Sequence, residues 1–146
     1  MNTALLLPAA VLVLWSLLML FWMAGTRLPA LKKMGVDLGS APPGGRGQEI
    51  DPTLPPQVAW KSHNYTHLME QPTIFYATVI ILTIAGATSV LMEGLAWGYV
   101  ILRIIHSVWQ ATVNKINIRF LLFVAATLCL LVLAFSAVIA TMDKAT

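Results

Sequence analysis

Charge is absent from three long stretches of the chain, Ala4 to Ala24, Gln71 to Met92 and Phe120 to Met142. A fourth apolar stretch, Gly94 to Asn114, is as long but carries Arg103, His106, Gln110 and Asn114. At 1.5 Å rise per residue, about 20 residues cross a hydrocarbon core of roughly 30 Å. Lipid cannot satisfy backbone polar groups, so such stretches are helices or closed barrel strands, and none of these alternates with the period of a strand. The pattern predicts an all-α integral membrane four-helix bundle forming a single domain over residues 1–146, with spans at about 4–24, 64–92, 94–114 and 118–142. The second span starts before its charge-free run, with Pro72 inside the helix, where it frees the carbonyl of Leu68 and bends the axis.

Composition agrees with a membrane protein. Hydrophobic residues make up 58% and charged residues only 10%, against about a quarter charged in a soluble domain; the mean hydropathy is +0.79. Disorder of the whole chain and a soluble disulfide scaffold are excluded, and the single cysteine, Cys129, cannot form an intrachain bridge. A net charge of +3 is spread over several loops without a basic cluster, which argues against a nucleic-acid partner. The first span lacks a basic leader and a small-residue cleavage site, so it is expected to stay in the mature chain. Arg27, Lys32, Lys33, Arg46 and Lys61 lie between the first two spans, and Lys115 and Arg119 between the last two. The positive-inside rule then places these loops in the cytoplasm and both termini outside it, with a bacterial inner membrane as the expected setting. Six of eight prolines and five of nine glycines fall between Pro29 and Pro56. Segment 27–60, with its run Ala41-Pro42-Pro43-Gly44-Gly45, is therefore expected to be a mobile cytoplasmic connector.

The polar residues at membrane depth carry the chemistry. Arg103, His106, Gln110 and Asn114 are spaced to share one helical face. Arginine at a helix centre costs roughly 2.5 kcal/mol or more on insertion scales, so it needs a partner or water. Two readings stay open: the stripe ties helices together as polar glue, or it lines a ligand cavity. His63, Asn64, His67, Glu70 and Gln71 cluster at the start of the second span, and Glu70 is the expected partner of Arg103. His63, His67 and Glu70 also have the spacing of a metal half-site, but no cysteine accompanies them and no metal is expected. Glu93 is expected to end the second helix at the outer interface, and Gly86 with Ala85 and Ala87 to allow close helix contact. Trp60, Trp97 and Trp109 read as interface anchors.

The run His67-Leu68-Met69-Glu70-Gln71-Pro72-Thr73-Ile74-Phe75-Tyr76, followed by Arg103-Ile104-Ile105-His106 and Asn114, resembles the MAPEG family, the membrane-associated proteins in eicosanoid and glutathione metabolism. The resemblance extends to the order of all four spans, the long first loop and the total length. It implies a homotrimer embedded in membrane lipid, with glutathione as co-substrate bound at subunit interfaces near the cytoplasmic side. It also implies a thiolate stabilised by arginine and used against lipophilic electrophiles or peroxides. Carried onto this chain, Arg119 and Arg103 become the candidate catalytic residues, Arg119 first for the thiolate. Glu70, Asn64, His67, His106, Gln110 and Asn114 become the ligand-binding candidates. The chain departs from glutathione-using members where they carry arginine and asparagine ahead of the glutamate, since it has His63 and His67 there. Their tyrosines on the third span are replaced by His106 and Gln110. These departures support a second reading, a non-catalytic accessory or structural subunit of a larger membrane complex. A third is a small transporter in which Glu70 is a proton-coupled carboxylate.

Overall fold

The computed structural model describes residues 3–40 and 43–145, so Ala41 and Pro42 of the Pro/Gly-rich run lie outside the described residues. Five α-helices follow one another: α1 (Leu6–Lys33), α2 (Pro56–Leu68), α3 (Gln71–Ile84), α4 (Val90–Thr112) and α5 (Ile116–Ala145). Two short 3-10 helices, Leu38–Ser40 and Gly47–Thr53, lie between α1 and α2. Among the described residues no strand occurs. Three helices, α1, α4 and α5, are long and apolar enough to cross a membrane. With 28 residues, α1 is about 42 Å long and carries its basic end, Arg27 to Lys33, well past its apolar section.

The second span, expected as one continuous helix over about 64–92, departs from that expectation. It is divided into α2 and α3 by a break at Met69 and Glu70, where Glu70 takes φ −88° and ψ −98°. Pro72 stands in the first turn of α3, a position where its missing N–H costs nothing. At the other end Gly86 adopts φ +67° and stops α3. The Ala87 amide reaches back to the Leu82 carbonyl at 3.0 Å, the pattern of a left-handed helix cap. Gly86 thus terminates the helix, and Ala87 beside it packs against the core. Ser89 then caps α4, accepting from the Met92 amide at 3.2 Å. Glu93 accordingly belongs to the first turn of α4, where its charge suits the helix N-terminus, and does not end the preceding helix.

The core lies between the helices and is built from Leu12 and Met19 of α1, Phe75, Val79 and Leu82 of α3, Tyr99 and Val100 of α4, and Ala126 and Leu133 of α5. Phe75 stacks on Tyr99 with ring centroids 4.3 Å apart, an arrangement worth about 0.5–1.5 kcal/mol beyond burial. Gln71 joins three helices, donating to Thr127 Oγ1 of α5 at 2.8 Å and accepting from the Tyr99 hydroxyl at 3.3 Å. Outside this core, Leu14, Phe21, Leu121, Phe135 and Ile139 are exposed, as side chains facing lipid would be.

The segment between α1 and α2 is folded over its second half. Leu31, Leu54 and Ala59 form a small apolar cluster. Beside it the Arg27 guanidinium donates to the Asp51 carboxylate, to the Gly47 carbonyl and to Ser62 Oγ. Asp51 is only 6% exposed although it belongs to a Pro/Gly-rich stretch. A buried carboxylate with a bidentate-capable partner outweighs the local composition.

Candidate functional site

The break between α2 and α3 sets the site. The last carbonyls of a helix have no partner within it, and the His67 carbonyl, in the last turn of α2, accepts from Arg103 Nη2 at 2.9 Å. Arg103 Nη1 lies 3.3 Å from His67 Nε2. On the far side of the same ring, His67 Nδ1 is 2.8 Å from Glu70 Oε2. The direct Arg103–Glu70 pair expected from sequence is therefore replaced by a relay through His67. The physical reason is position: Glu70 lies beyond the end of α2 and is 60% exposed, whereas Arg103 is fully buried.

On α4, Arg103, His106 and Gln110 lie on the buried face, together with Tyr99 and Ser107. Ser107 accepts from Trp15 Nε1 of α1 at 3.1 Å. The His67 and His106 rings are 5.0 Å apart, and Phe123 of α5 closes on His67 at 5.7 Å. Asn114 does not continue the stripe. It takes φ +54° just past the end of α4, its amide bonding the Trp109 carbonyl at 2.8 Å. Asparagine tolerates this left-handed conformation better than most residues. Its side-chain oxygen accepts from Arg119 Nη1 at 2.7 Å, which fixes that guanidinium near the start of α5.

Two openings meet at Arg119. A cleft of about 510 Å³ is lined by Gln48, Asp51, His63, His67, Glu70 and Gln110 as well as Arg119. A smaller pocket of about 200 Å³ is lined by His67, His106, Ile116, Phe120, Phe123 and again Arg119. The cleft carries two carboxylates on walls that are otherwise largely apolar, and the pocket brings Ile116, Phe120 and Phe123 beside the two histidines. Asn64 is buried and lines neither. Both of its side-chain amide atoms, the Arg103 Nε and the Gln110 Oε1 lack a hydrogen-bond partner among the described residues. Buried polar atoms of this kind are ordinarily satisfied by water.

Of the residues singled out from sequence, Arg103, His67 and Glu70 are joined by hydrogen bonds, Asn114 and Arg119 form a second pair, and His106 and Gln110 line the openings. Asp51 and Gln48, from the connector, and Phe120 and Phe123, from α5, were not anticipated. Asp51 carried one usable signal: an acidic residue between Pro/Gly-rich runs, with an arginine at the end of the preceding span. His63, Asp51, His67 and Glu70 share the cleft, yet among the described residues no three such side chains converge as metal ligands.

Three long apolar helices with a basic end beyond the first apolar section define an integral membrane protein of helical type. More specifically, the chain belongs to the MAPEG family, whose sequence profile matches residues 5–139, nearly its whole length. No curated protein and no solved structure matches it.

Proposed function

We propose that the protein is a membrane-embedded glutathione-dependent transferase or peroxidase acting on lipophilic electrophiles. The observation that carries this reading is the position of Arg119, shared by a cleft that holds two carboxylates and a pocket walled by Ile116, Phe120 and Phe123. Glutathione has two carboxylates, an ammonium group and a thiol. The cleft offers Glu70 to the ammonium and Arg119 to an anionic group, and the pocket offers Phe120 and Phe123 to an apolar acceptor. A free thiol has a pKa near 8.5 (roughly), and a neighbouring guanidinium lowers it, so Arg119 would raise the thiolate fraction at neutral pH. The thiolate sulfur then bonds to the electrophilic carbon as its leaving group departs with the bonding pair; with a peroxide it takes the distal oxygen as the O–O bond breaks, giving glutathione sulfenic acid and, once the alkoxide is protonated, an alcohol. Asn114 keeps Arg119 pointed at the junction, and Arg103 acts from behind through His67.

In this reading α2 and α3 together make a fourth traverse of the membrane, three copies assemble as a homotrimer, and the basic loops face the cytoplasm of a bacterial cell with both termini outside. Glutathione enters from the cytoplasm and the acceptor from lipid. The test is a glutathione titration of the detergent-purified protein, following thiolate absorbance and particle mass in the same sample. The expected outcome is a saturating thiolate signal on a trimer, lost in Arg119→Ala without a change of mass. Neither binding nor thiolate at millimolar glutathione would refute the enzyme reading. An accessory subunit would then be the better description, and it should co-purify with a larger assembly in mild detergent.

A further inference from the structure

We propose that Arg103 locks His67 in its Nδ1–H tautomer, and that the locked ring aims the Glu70 carboxylate into the cleft as a fixed anionic docking point. This rests on the glutathione reading only for the identity of the ligand. The hydrogen-bond chemistry leaves one assignment. A guanidinium has donors and no acceptor, so the His67 nitrogen facing Arg103 Nη1 at 3.3 Å must present its lone pair. That nitrogen is Nε2, and the ring proton is therefore on Nδ1. Nδ1 is the atom 2.8 Å from Glu70 Oε2, where an N–H donor meets a carboxylate acceptor.

Three features make the lock selective for this state. The second bond from Arg103, Nη2 to the His67 carbonyl at 2.9 Å, prevents the guanidinium from swinging away. Arg103 is fully buried, so it cannot exchange the ring for bulk water. The ring itself is wedged between His106 at 5.0 Å and Phe123 at 5.7 Å, which opposes a flip that would exchange its two nitrogens. Protonating Nε2 would set an N–H and a positive charge directly against Arg103. The charged groups around the ring are Arg103 from α4, Arg119 from α5 and Glu70 itself, with His106 the other titratable neighbour.

Without this bond Glu70 would be an ordinary exposed side chain spread over several rotamers. With it, the carboxylate is preorganised at the lip of the cleft, and less side-chain freedom remains to be lost when a cation binds. Arg103 and His67 are in this respect positioning residues, acting through Glu70 on an ammonium group they need not touch.

Nitrogen-15 spectra of the detergent-solubilised full chain, labelled at histidine and assigned with His63→Asn and His106→Asn, read the tautomer without any ligand. The expected result at neutral pH is a His67 ring protonated at Nδ1 and bare at Nε2. Protonation at Nε2, or at both nitrogens, overturns the lock. Glutathione binding reads its consequence. His67→Asn keeps a donor near the Nδ1 position, whereas His67→Gln moves its amide toward the Nε2 position and abandons Glu70. Restored rotamer freedom of Glu70, which binding must then remove, predicts roughly two- to tenfold weaker binding for His67→Gln, partly rescued in His67→Asn. Equal losses in the two variants overturn the aiming role. A wild-type protein that shows the Nδ1–H ring but binds no glutathione supports the lock and refutes the proposed function, so the two failures are distinguishable.

Discussion

Replacing Arg27 by methionine should release the strap Gly47–Thr53 from the helices while leaving the bundle folded. Arg27 pairs with Asp51, and it also bonds the Gly47 carbonyl and Ser62. Methionine preserves the length and apolar stem of the side chain, so the change removes charge and donors more than packing. Breaking a buried ion pair from one side costs about 3–5 kcal/mol when the orphaned charge stays buried. Two features reduce that figure here. Asp51 lines an open cleft and can rehydrate by moving outward, and His63 Nε2, 3.5 Å from Asp51 Oδ2, is a substitute partner. A local cost of about 2–3 kcal/mol is then expected, which raises the open population of the strap roughly 30- to 160-fold.

Hydrogen exchange read by mass spectrometry on the protein in detergent measures this directly. The informative amides are those of Glu49 and Leu54, bonded to the carbonyls of Arg46 and Asp51. Their exchange should accelerate by that factor in Arg27→Met, with α4 and α5 unchanged. Arg27→Lys should fall between the two, since an ammonium keeps the charge but not the planar fork. If the strap exchanges equally fast in the wild type and in Arg27→Met, Arg27 does not hold it, and the connector is as loose as its composition suggested.

Two further substitutions test the site and the core. Asn114→Gly keeps the left-handed turn and should leave thermal stability near that of the wild type while weakening glutathione binding, because Arg119 loses its anchor; Asn114→Ala should weaken binding and also destabilise the fold by about 1–2 kcal/mol of backbone strain. Phe75→Ala, which empties the stack on Tyr99, should destabilise the bundle by about 3–5 kcal/mol, followed on heating with a fluorogenic maleimide that reaches the half-buried Cys129 only as the helices separate.

The long helices were legible because hydrocarbon leaves so few options. Charge-free runs of sufficient length located α1 and α5, and the polar face of α4 followed from residues three and four apart. Helix ends were less legible. Asn114 fits the spacing of the stripe, yet it closes α4, since nothing in the periodicity separates a final helical residue from a left-handed cap. Pro72 could bend a helix or begin one; the choice depended on what received the carbonyls it helped expose, and that partner, Arg103, lay 31 positions further on. The contacts of the strap were illegible for a related reason. Its composition describes local preference, while its order comes from Arg27, 24 positions from Asp51.

The partner of Arg103 shows how charge, helix ends and the break depend on one another. A continuous helix across Glu70 would have consumed its own carbonyls and left Arg103 to seek a carboxylate. Ending α2 at Leu68 turns a partially negative helix terminus toward the guanidinium. Starting α3 at Gln71 leaves Glu70 as its N-cap residue, with the carboxylate bonded to His67 and not to the helix amides. The guanidinium is thus matched by a backbone dipole of opposite sign, worth about 0.3–2 kcal/mol, and Glu70 by the His67 ring, so the two charges need not pair with each other. That separation is what leaves Glu70 exposed and unspent at the cleft. A direct Arg103–Glu70 pair would have stabilised the same two charges while removing the carboxylate from any ligand.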